Sequence, residues 1–298
     1  MYFVGLDLAW GENKPTGIAV LDSNAELVHL NAAGADPSIQ AQLEPWVKSE
    51  CLVAIDAPLI VKNQSGNRPC EAALNRDFHA FDAGAHPANT TRPEFAVKPR
   101  GARLAEALNL DIDPESTQPR RAIEVYPHPA TVALFRLGGT LKYKQRKGRT
   151  VDHLKSELLR LIGLVEDRAG ADVTMRVADN PEWARLRQLV ENATTKAELR
   201  RAEDPIDAVL CAYIARYATE RPDDMTTYGD LQTGYIVTPT LPPDLCSRRD
   251  RPPIEGRPPM WLSASIPTES PRKSLEARLA RLEAEAEQLR EQLKKLDE

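Results

Sequence analysis

The order of secondary structure predicted for the first sixty residues constrains the fold more than any other feature of this chain. An apolar run from Tyr2 to Trp10, interrupted only by a glycine and an aspartate, is typical of a strand buried on both faces. Two shorter strands follow at about 16–21 and 26–31, joined by the turn residues Asp-Ser-Asn. An amphipathic helix and a second buried strand, Cys51–Ile60, come next. This order predicts an α/β fold.

The rest of the chain divides into segments of different character. Residues 61–118 show weak periodicity and many Asn, Gly, Pro and Arg residues, which predicts an insertion or lid. Strand character returns at Arg120–Tyr126, and the last core helix is predicted from Pro205 to Glu220. We therefore expect one domain over residues 1–240.

The C-terminal part of the chain has a different composition. Nine prolines fall within 239–271, which favours an extended linker over 241–271 because proline disrupts both helices and central strands. A leucine-rich repeat with alternating spacings of four and three follows, and it predicts a short coiled-coil helix over 272–298. The expected partner is a second copy of the chain, although a helix docked on its own domain would show the same stripe.

Charge and composition exclude some classes of protein. Lys and Arg number 39 against 44 Asp and Glu, so a formal net charge of −5 argues against a uniformly basic nucleic-acid or membrane binder. No apolar window is long enough to span a membrane, and the N-terminus lacks the features of a signal peptide. The four cysteines form no CxxC pair, which favours reduced thiols and a cytoplasmic location.

Acidic residues occur in segments that are otherwise suited to burial. Burying an isolated carboxylate is costly unless it is paired, hydrogen-bonded or bound to a cation. Their convergence would suit a hard divalent ion, Mg²⁺ or Mn²⁺, which prefers oxygen ligands and can assist phosphodiester hydrolysis. The segments are GLDLAWG (Asp7), VAIDAPL (Asp56), IEVYPHP (Glu124) and RRAEDPIDAVLCAYIA (Asp204 and Asp207).

Each of these residues also has an ordinary structural interpretation. Asp204, before Pro205, is well placed to cap the N-terminus of a helix, and Asp207 lies where the acid of a capping box belongs. Asp56 could serve a turn at the end of a strand. His128, four residues after Glu124, could act as a general acid or base, or equally as a turn residue between two prolines.

Taken in order, the motifs resemble those of a known family. GLDLAWG, TGIAVLD, AIDAPL, RPCE, EVYPHPA, KYK and EDPIDAVLCAY resemble the domain-of-unknown-function family 429, over residues 3–238. The resemblance implies the RNase H-like fold of predicted nucleases, with three antiparallel strands, a crossover helix and two further parallel strands. It also implies a metal-dependent carboxylate site at Asp7, Asp56, Glu124 and Asp207.

Basic residues supply the predicted contacts to substrate. The segment Leu141–Arg149 carries five basic residues and no acid, and Tyr143 within it could stack on a base. Lys144 and Arg68 match motif positions of the family, and we rank them first as phosphate contacts. Arg146 and Arg149 complete the predicted set, although such a run is also typical of a solvated loop.

Three functions are compatible with these observations. The leading hypothesis is a Mg²⁺- or Mn²⁺-dependent nuclease acting on DNA or RNA. The second is a nucleotide-binding phosphotransferase or ATPase with the same fold, although AIDAPL lacks the glycine expected of a second phosphate loop. The third is a non-catalytic scaffold that assembles through the C-terminal helix.

Overall fold

A mixed β-sheet forms the centre of the part of the chain that the computed structural model describes, residues 1–11 and 14–248. Its strands are β1 (Tyr2–Asp7), β2 (Thr16–Leu21), β3 (Leu27–Ala33), β4 (Cys51–Ile55) and β5 (Arg120–Glu124). The order across the sheet is β3-β2-β1-β4-β5. β1 pairs antiparallel with β2, and β2 with β3, whereas β4 is parallel to both β1 and β5. The predicted α/β fold and the mixed sheet are confirmed.

Helices flank this sheet, and a separate hairpin follows them in the chain. The helices are α1 (Asp36–Val47), α2 (Pro69–Phe78), α3 (Arg100–Ala107), α4 (Pro127–Leu134), α5 (Val151–Glu166), α6 (Pro181–Asn192) and α7 (Lys196–Glu220). The hairpin consists of β6 (Met225–Asp230) and β7 (Gly234–Pro239), paired antiparallel. The hairpin is absent from the elements predicted above.

Helix α7 begins nine residues before the predicted start. Thr195 is its N-cap, and its hydroxyl accepts a hydrogen bond from the backbone N–H of Glu198, whose side chain completes a capping box. Pro205 therefore lies inside the helix. The interpretation of Asp204 as the N-cap, with Asp207 as its capping-box acid, is wrong because a better cap exists upstream and packing compensates for the hydrogen bond lost at the proline.

Two glycines allow α7 to pack directly against the sheet. A side chain at Gly5 would place its Cβ 2.0 Å from the carbonyl oxygen of Ala208, and one at Gly17 would come equally close to that of Asp204. Both obstacles are backbone atoms, which cannot rotate away. The absence of side chains at these two positions thus brings the middle of α7 onto β1 and β2, with Asp207 near the end of β1.

The segment between residues 61 and 118 contains α2 and α3 and contributes buried side chains of its own. Leu74 and Phe78 of α2 form a second apolar cluster with Val132 of α4 and with Tyr228 and Ile236 of the hairpin. The interpretation of this segment as an insertion or lid stays a prediction.

Other sequence predictions concern residues that are not described. The coiled-coil helix at 272–298, and most of the linker at 241–271, lie outside the described residues. In residues 1–11 and 14–248, no helix is both long and apolar enough to cross a membrane.

Candidate active site

Two of the predicted acids lie side by side at the carboxyl ends of the central strands. In the parallel register of β1 and β4, Leu6 pairs with Ile55, so the next residues, Asp7 and Asp56, are neighbours at the same edge of the sheet. The backbone N–H of Asp56 donates a hydrogen bond of 2.8 Å to the carbonyl oxygen of Leu6, which extends the strand pairing to this point. Crevices at the carboxyl ends of parallel strands are common binding sites in α/β proteins.

Asp207 of α7 joins these two residues and is held by the predicted basic loop. The Tyr143 hydroxyl donates a 2.6 Å hydrogen bond to Asp207 Oδ1, and the Lys144 ammonium forms an ion pair with Asp207 Oδ2. Lys144 Nζ also lies 3.7 Å from Asp7 Oδ2. The acids from β1, β4 and α7, together with Lys144, are called the carboxylate cluster below.

Tyr143 and Lys144 therefore have different roles from each other. The Tyr143 side chain is buried, with the residue only 2% exposed, and its hydroxyl is already occupied by Asp207. The ring therefore offers no exposed face to a base in this structure, and base stacking by Tyr143 stays a prediction. Lys144 keeps 31% of its side chain exposed and can contact a ligand while remaining paired.

If all of its acids were ionised, the carboxylate cluster would carry more negative charge than its one ammonium group can balance. Burial raises the pKa of Asp7 to about 8; Lys144 lowers it, while Asp207 and Asp204 raise it further. Burial likewise raises the pKa of Asp56, and the charges of Asp7 and Asp207 add to that effect. Asp7 Oδ2 is buried and has no hydrogen-bond partner in the described structure. Additional positive charge would therefore stabilise the ionised acids.

Lys144 responds in the opposite direction. Burial alone would lower its pKa, but the attraction of Asp207 and Asp7 outweighs that effect and raises the pKa well above its ordinary value. The ammonium group is therefore charged throughout the physiological pH range. A fixed positive charge beside the carboxylates is suited to binding an anionic substrate.

Asp204 and an acid that sequence analysis did not select lie next to the cluster on α7. Glu203 is 6% exposed, and burial raises its pKa to about 7. Burial also raises the pKa of Asp204, which is half-buried one helical turn before Asp207. Glu203 directly precedes the predicted site residue Asp204 in the sequence, and this was the available signal. It was not selected because the predicted helix start at Pro205 placed it in a loop.

Glu124 is close to the cluster but already has a partner. Arg68 donates to both of its carboxylate oxygens, at 3.0 and 2.5 Å, and the backbone N–H of Leu59 donates a third bond of 2.8 Å. Arg68 also bonds Glu71 and is only 1% exposed. In this structure the two side chains satisfy each other in the interior. Metal binding by Glu124 and phosphate contact by Arg68 stay predictions, and either would require this pair to open.

A cavity of about 360 Å³ adjoins the cluster on one side. His128, Arg146 and Arg149 line it together with Lys144, so the structure brings these predicted residues together. Burial lowers the pKa of His128 to about 4, so its imidazole is neutral at pH 7. His128 Nδ1 lies 3.2 Å from the Thr140 hydroxyl. A neutral imidazole keeps one ring nitrogen that can accept a hydrogen bond.

The donor groups of the carboxylate cluster are all carboxylate oxygens, the ligand type that a hard divalent cation prefers. Among the described residues, no three His, Cys, Asp or Glu side chains form a ready-made metal centre. The orphaned oxygen of Asp7 and the three carboxylates nevertheless fit a hard cation by chemistry. Asp7, Asp56 and Asp207 are the residues that would hold Mg²⁺ or Mn²⁺, whereas Glu124 is occupied by Arg68.

Fold and site together define a mixed α/β protein with buried acids and one lysine at the carboxyl ends of its central strands. The family model described as "Protein of unknown function (DUF429)" matches residues 5–233, and the chain belongs to that family. The match includes every residue of the carboxylate cluster. No curated protein matches the chain, and no solved structure does.

Proposed function

We propose that this protein is a divalent-metal-dependent phosphodiesterase that hydrolyses nucleic acid. The observation that carries the proposal is the carboxylate cluster, in which Asp7, Asp56 and Asp207 lie around one ammonium group and Asp7 Oδ2 accepts no hydrogen bond from a described residue. Acids this deeply buried destabilise a fold unless a cation offsets their charge. Mg²⁺ or Mn²⁺ bound there would polarise a phosphodiester and activate water.

The topology supports an RNase H-like assignment within this proposal. Three antiparallel strands are followed by a crossover helix and two parallel strands in the order β3-β2-β1-β4-β5, as the resemblance implied. The acids come from the end of the first strand, the end of the fourth and the last core helix. Because one fold can carry many activities, the carboxylate cluster supports the proposed chemistry more directly than the topology does.

Three further residues would bind the substrate, position an acid of the cluster and transfer a proton. Lys144, charged and partly exposed, would contact a non-bridging phosphate oxygen and stabilise the charge that develops on it. Tyr143 would act as a positioning residue, since its hydroxyl fixes the orientation of Asp207. His128, neutral in the adjoining cavity, would accept or return a proton at the reacting oxygen.

Hydrolysis of labelled oligonucleotides tests the proposal. The panel comprises single- and double-stranded DNA and RNA, each with Mg²⁺, with Mn²⁺ and with a chelator. We expect cleavage by the wild type that requires metal. Asp7→Asn and Asp207→Asn should each lower the rate by at least about 100-fold, the loss typical of removing one group that stabilises the transition state.

The matched control is Asp179→Asn, which removes an exposed acid that forms no ion pair with a described residue. Its rate should equal that of the wild type. Cleavage that survives both Asp7→Asn and Asp207→Asn would reject the carboxylate cluster as the active site. A complete lack of metal-dependent cleavage across the panel would reject the proposed activity.

A further inference from the structure

A groove of about 970 Å³ opens beside the carboxylate cluster and is lined by cations that sequence analysis did not select. The acids Asp7, Glu203 and Asp204 line the same groove, and so does Lys144. The groove is thus continuous with the candidate active site. The additional cations are Lys14, Lys147, Lys196, Arg200 and Arg201.

These five cations, called the groove cations, form no ion pair with any described residue. Elsewhere on the surface, cations often pair with a neighbouring acid, as Lys48 does with Glu44 and Arg136 with Asp244. Acids are present in the groove, yet none lies within ion-pair distance of a groove cation. Positive charge that the described residues leave unpaired is available to a ligand.

The arrangement of the groove cations favours a polymer over a small molecule. Lys196, Arg200 and Arg201 lie on the first two turns of α7, whereas Lys147 belongs to the loop after Lys144 and Lys14 precedes β2. Charge is therefore spread over three separate segments around the acids. A ligand that carries one phosphate would use only part of this surface, whereas a chain of phosphates would use all of it.

The burial of the acids favours a single strand. Asp7 and Asp207 keep only 15% and 2% of their side chains exposed, so a scissile phosphate must enter the groove to approach them, and a single strand can bend to do so. Among the described lining residues none is aromatic, which predicts contact through the phosphate backbone without base stacking.

We propose that the groove cations bind the backbone of single-stranded DNA or RNA and lead it across the carboxylate cluster. This inference rests on the proposed function, because it assigns the substrate path of the same site. It predicts binding that is independent of base sequence and strongly dependent on salt.

The test is the salt dependence of binding by the full-length chain without added metal. Fluorescein-labelled oligo-dT and oligo-rU of about 20 nucleotides are titrated by fluorescence anisotropy, with a duplex of the same length. For Arg200→Gln/Arg201→Gln, we expect the slope of log affinity against log salt to fall by about 1.4, since each single-strand phosphate contact contributes about 0.7. Affinity at about 0.1 M salt should fall roughly 25-fold by the same relation.

The matched control, Arg76→Gln/Arg160→Gln, removes two cations that are exposed, helical and without a described ion pair, but lie outside the groove. Its slope and affinity should equal those of the wild type. Glutamine keeps the helix propensity of arginine, and thermal unfolding verifies that each variant folds. If the α7 variant does not fold, Lys147→Gln in the loop replaces it, with an expected slope change of about 0.7.

Equal binding by the groove variant and its control would overturn the inference, as would failure of both single strands to bind or binding of the duplex alone. Other outcomes would distinguish failure of the proposed catalytic function from failure of the groove proposal. Binding that depends on Arg200 and Arg201 without hydrolysis would retain the groove and reject the catalysis. Hydrolysis with unchanged binding would reject the groove alone.

Discussion

Replacing Asp7 with asparagine should stabilise the folded protein at neutral pH even though it removes an acid from the candidate active site. In the folded chain the pKa of Asp7 is about 8, mainly because of burial, against an ordinary value of 3.8. Between these two values the unfolded chain loses a proton that the folded chain keeps. Stability therefore falls as the pH rises from 3.8 towards 8 and levels off above that.

The size of the effect follows from this difference. A pKa difference of one unit corresponds to about 1.4 kcal/mol, so the raised pKa of Asp7 lowers the free energy of unfolding by up to about 4 kcal/mol at pH 7. Asparagine has nearly the same shape and no charge to bury. Lys144 would lose one of its two partners, which offsets part of the gain. We expect a rise in the melting temperature of several degrees, at about 2–4 °C per kcal/mol for a domain of this size.

Urea unfolding at pH 5 and pH 8, with a chelator present, measures the gain directly. The gain from Asp7→Asn should be larger at pH 8, where the wild type has lost more stability. The control Asp179→Asn should stay within about 0.5 kcal/mol of the wild type at both values, as is usual for a surface substitution. The reasoning would be refuted if Asp7→Asn were less stable than the wild type at pH 8, or if its gain were the same at both pH values.

Three further predictions concern other parts of the chain. Arg68→Met should destabilise the fold by about 3–5 kcal/mol in urea unfolding because it leaves Glu124 buried without a cation; adding Glu124→Met should recover much of that loss, and no recovery would contradict the pairing. Gly5→Ala should cost about 3 kcal/mol by the same assay, since its Cβ would collide with the α7 backbone; an unchanged midpoint would contradict the close approach. Deleting residues 272–298 should reduce the mass measured by light scattering if the heptad pattern forms a coiled coil, and an unchanged mass would contradict that prediction.

Local patterns were sufficient to predict the sheet. The predicted strands at Tyr2–Trp10, Cys51–Ile60 and Arg120–Tyr126 begin at the same residues as β1, β4 and β5, although each ends earlier than predicted. Their order in the chain limits which topologies are possible. The acids Asp7 and Asp56 could be selected as candidates because a strand buried on both faces consists mainly of apolar residues, so a charged residue in it is unusual. Their proximity then followed from the parallel pairing of two strands.

Tertiary contacts decided the features that sequence analysis missed or misread. Pro205 predicted a helix start, but α7 continues through it because the helix packs against Gly17. Glu124 was expected to need a metal ion, whereas its cation is Arg68, which lies 56 residues earlier in the chain. No local pattern shows such pairing, since a buried acid has the same sequence signature whichever cation balances it.

The close contact between α7 and the sheet also bears on how the site could change over evolutionary time. The spacing between Asp7 and Asp207 depends on a carbonyl resting against Gly5 rather than on the size of any interchangeable side chain. Drift among the apolar residues elsewhere in the core would alter stability while leaving that spacing nearly constant. As long as Gly5 and Gly17 are kept, substitutions in the surrounding core leave the acids at the same positions, even among relatives whose sequences differ widely.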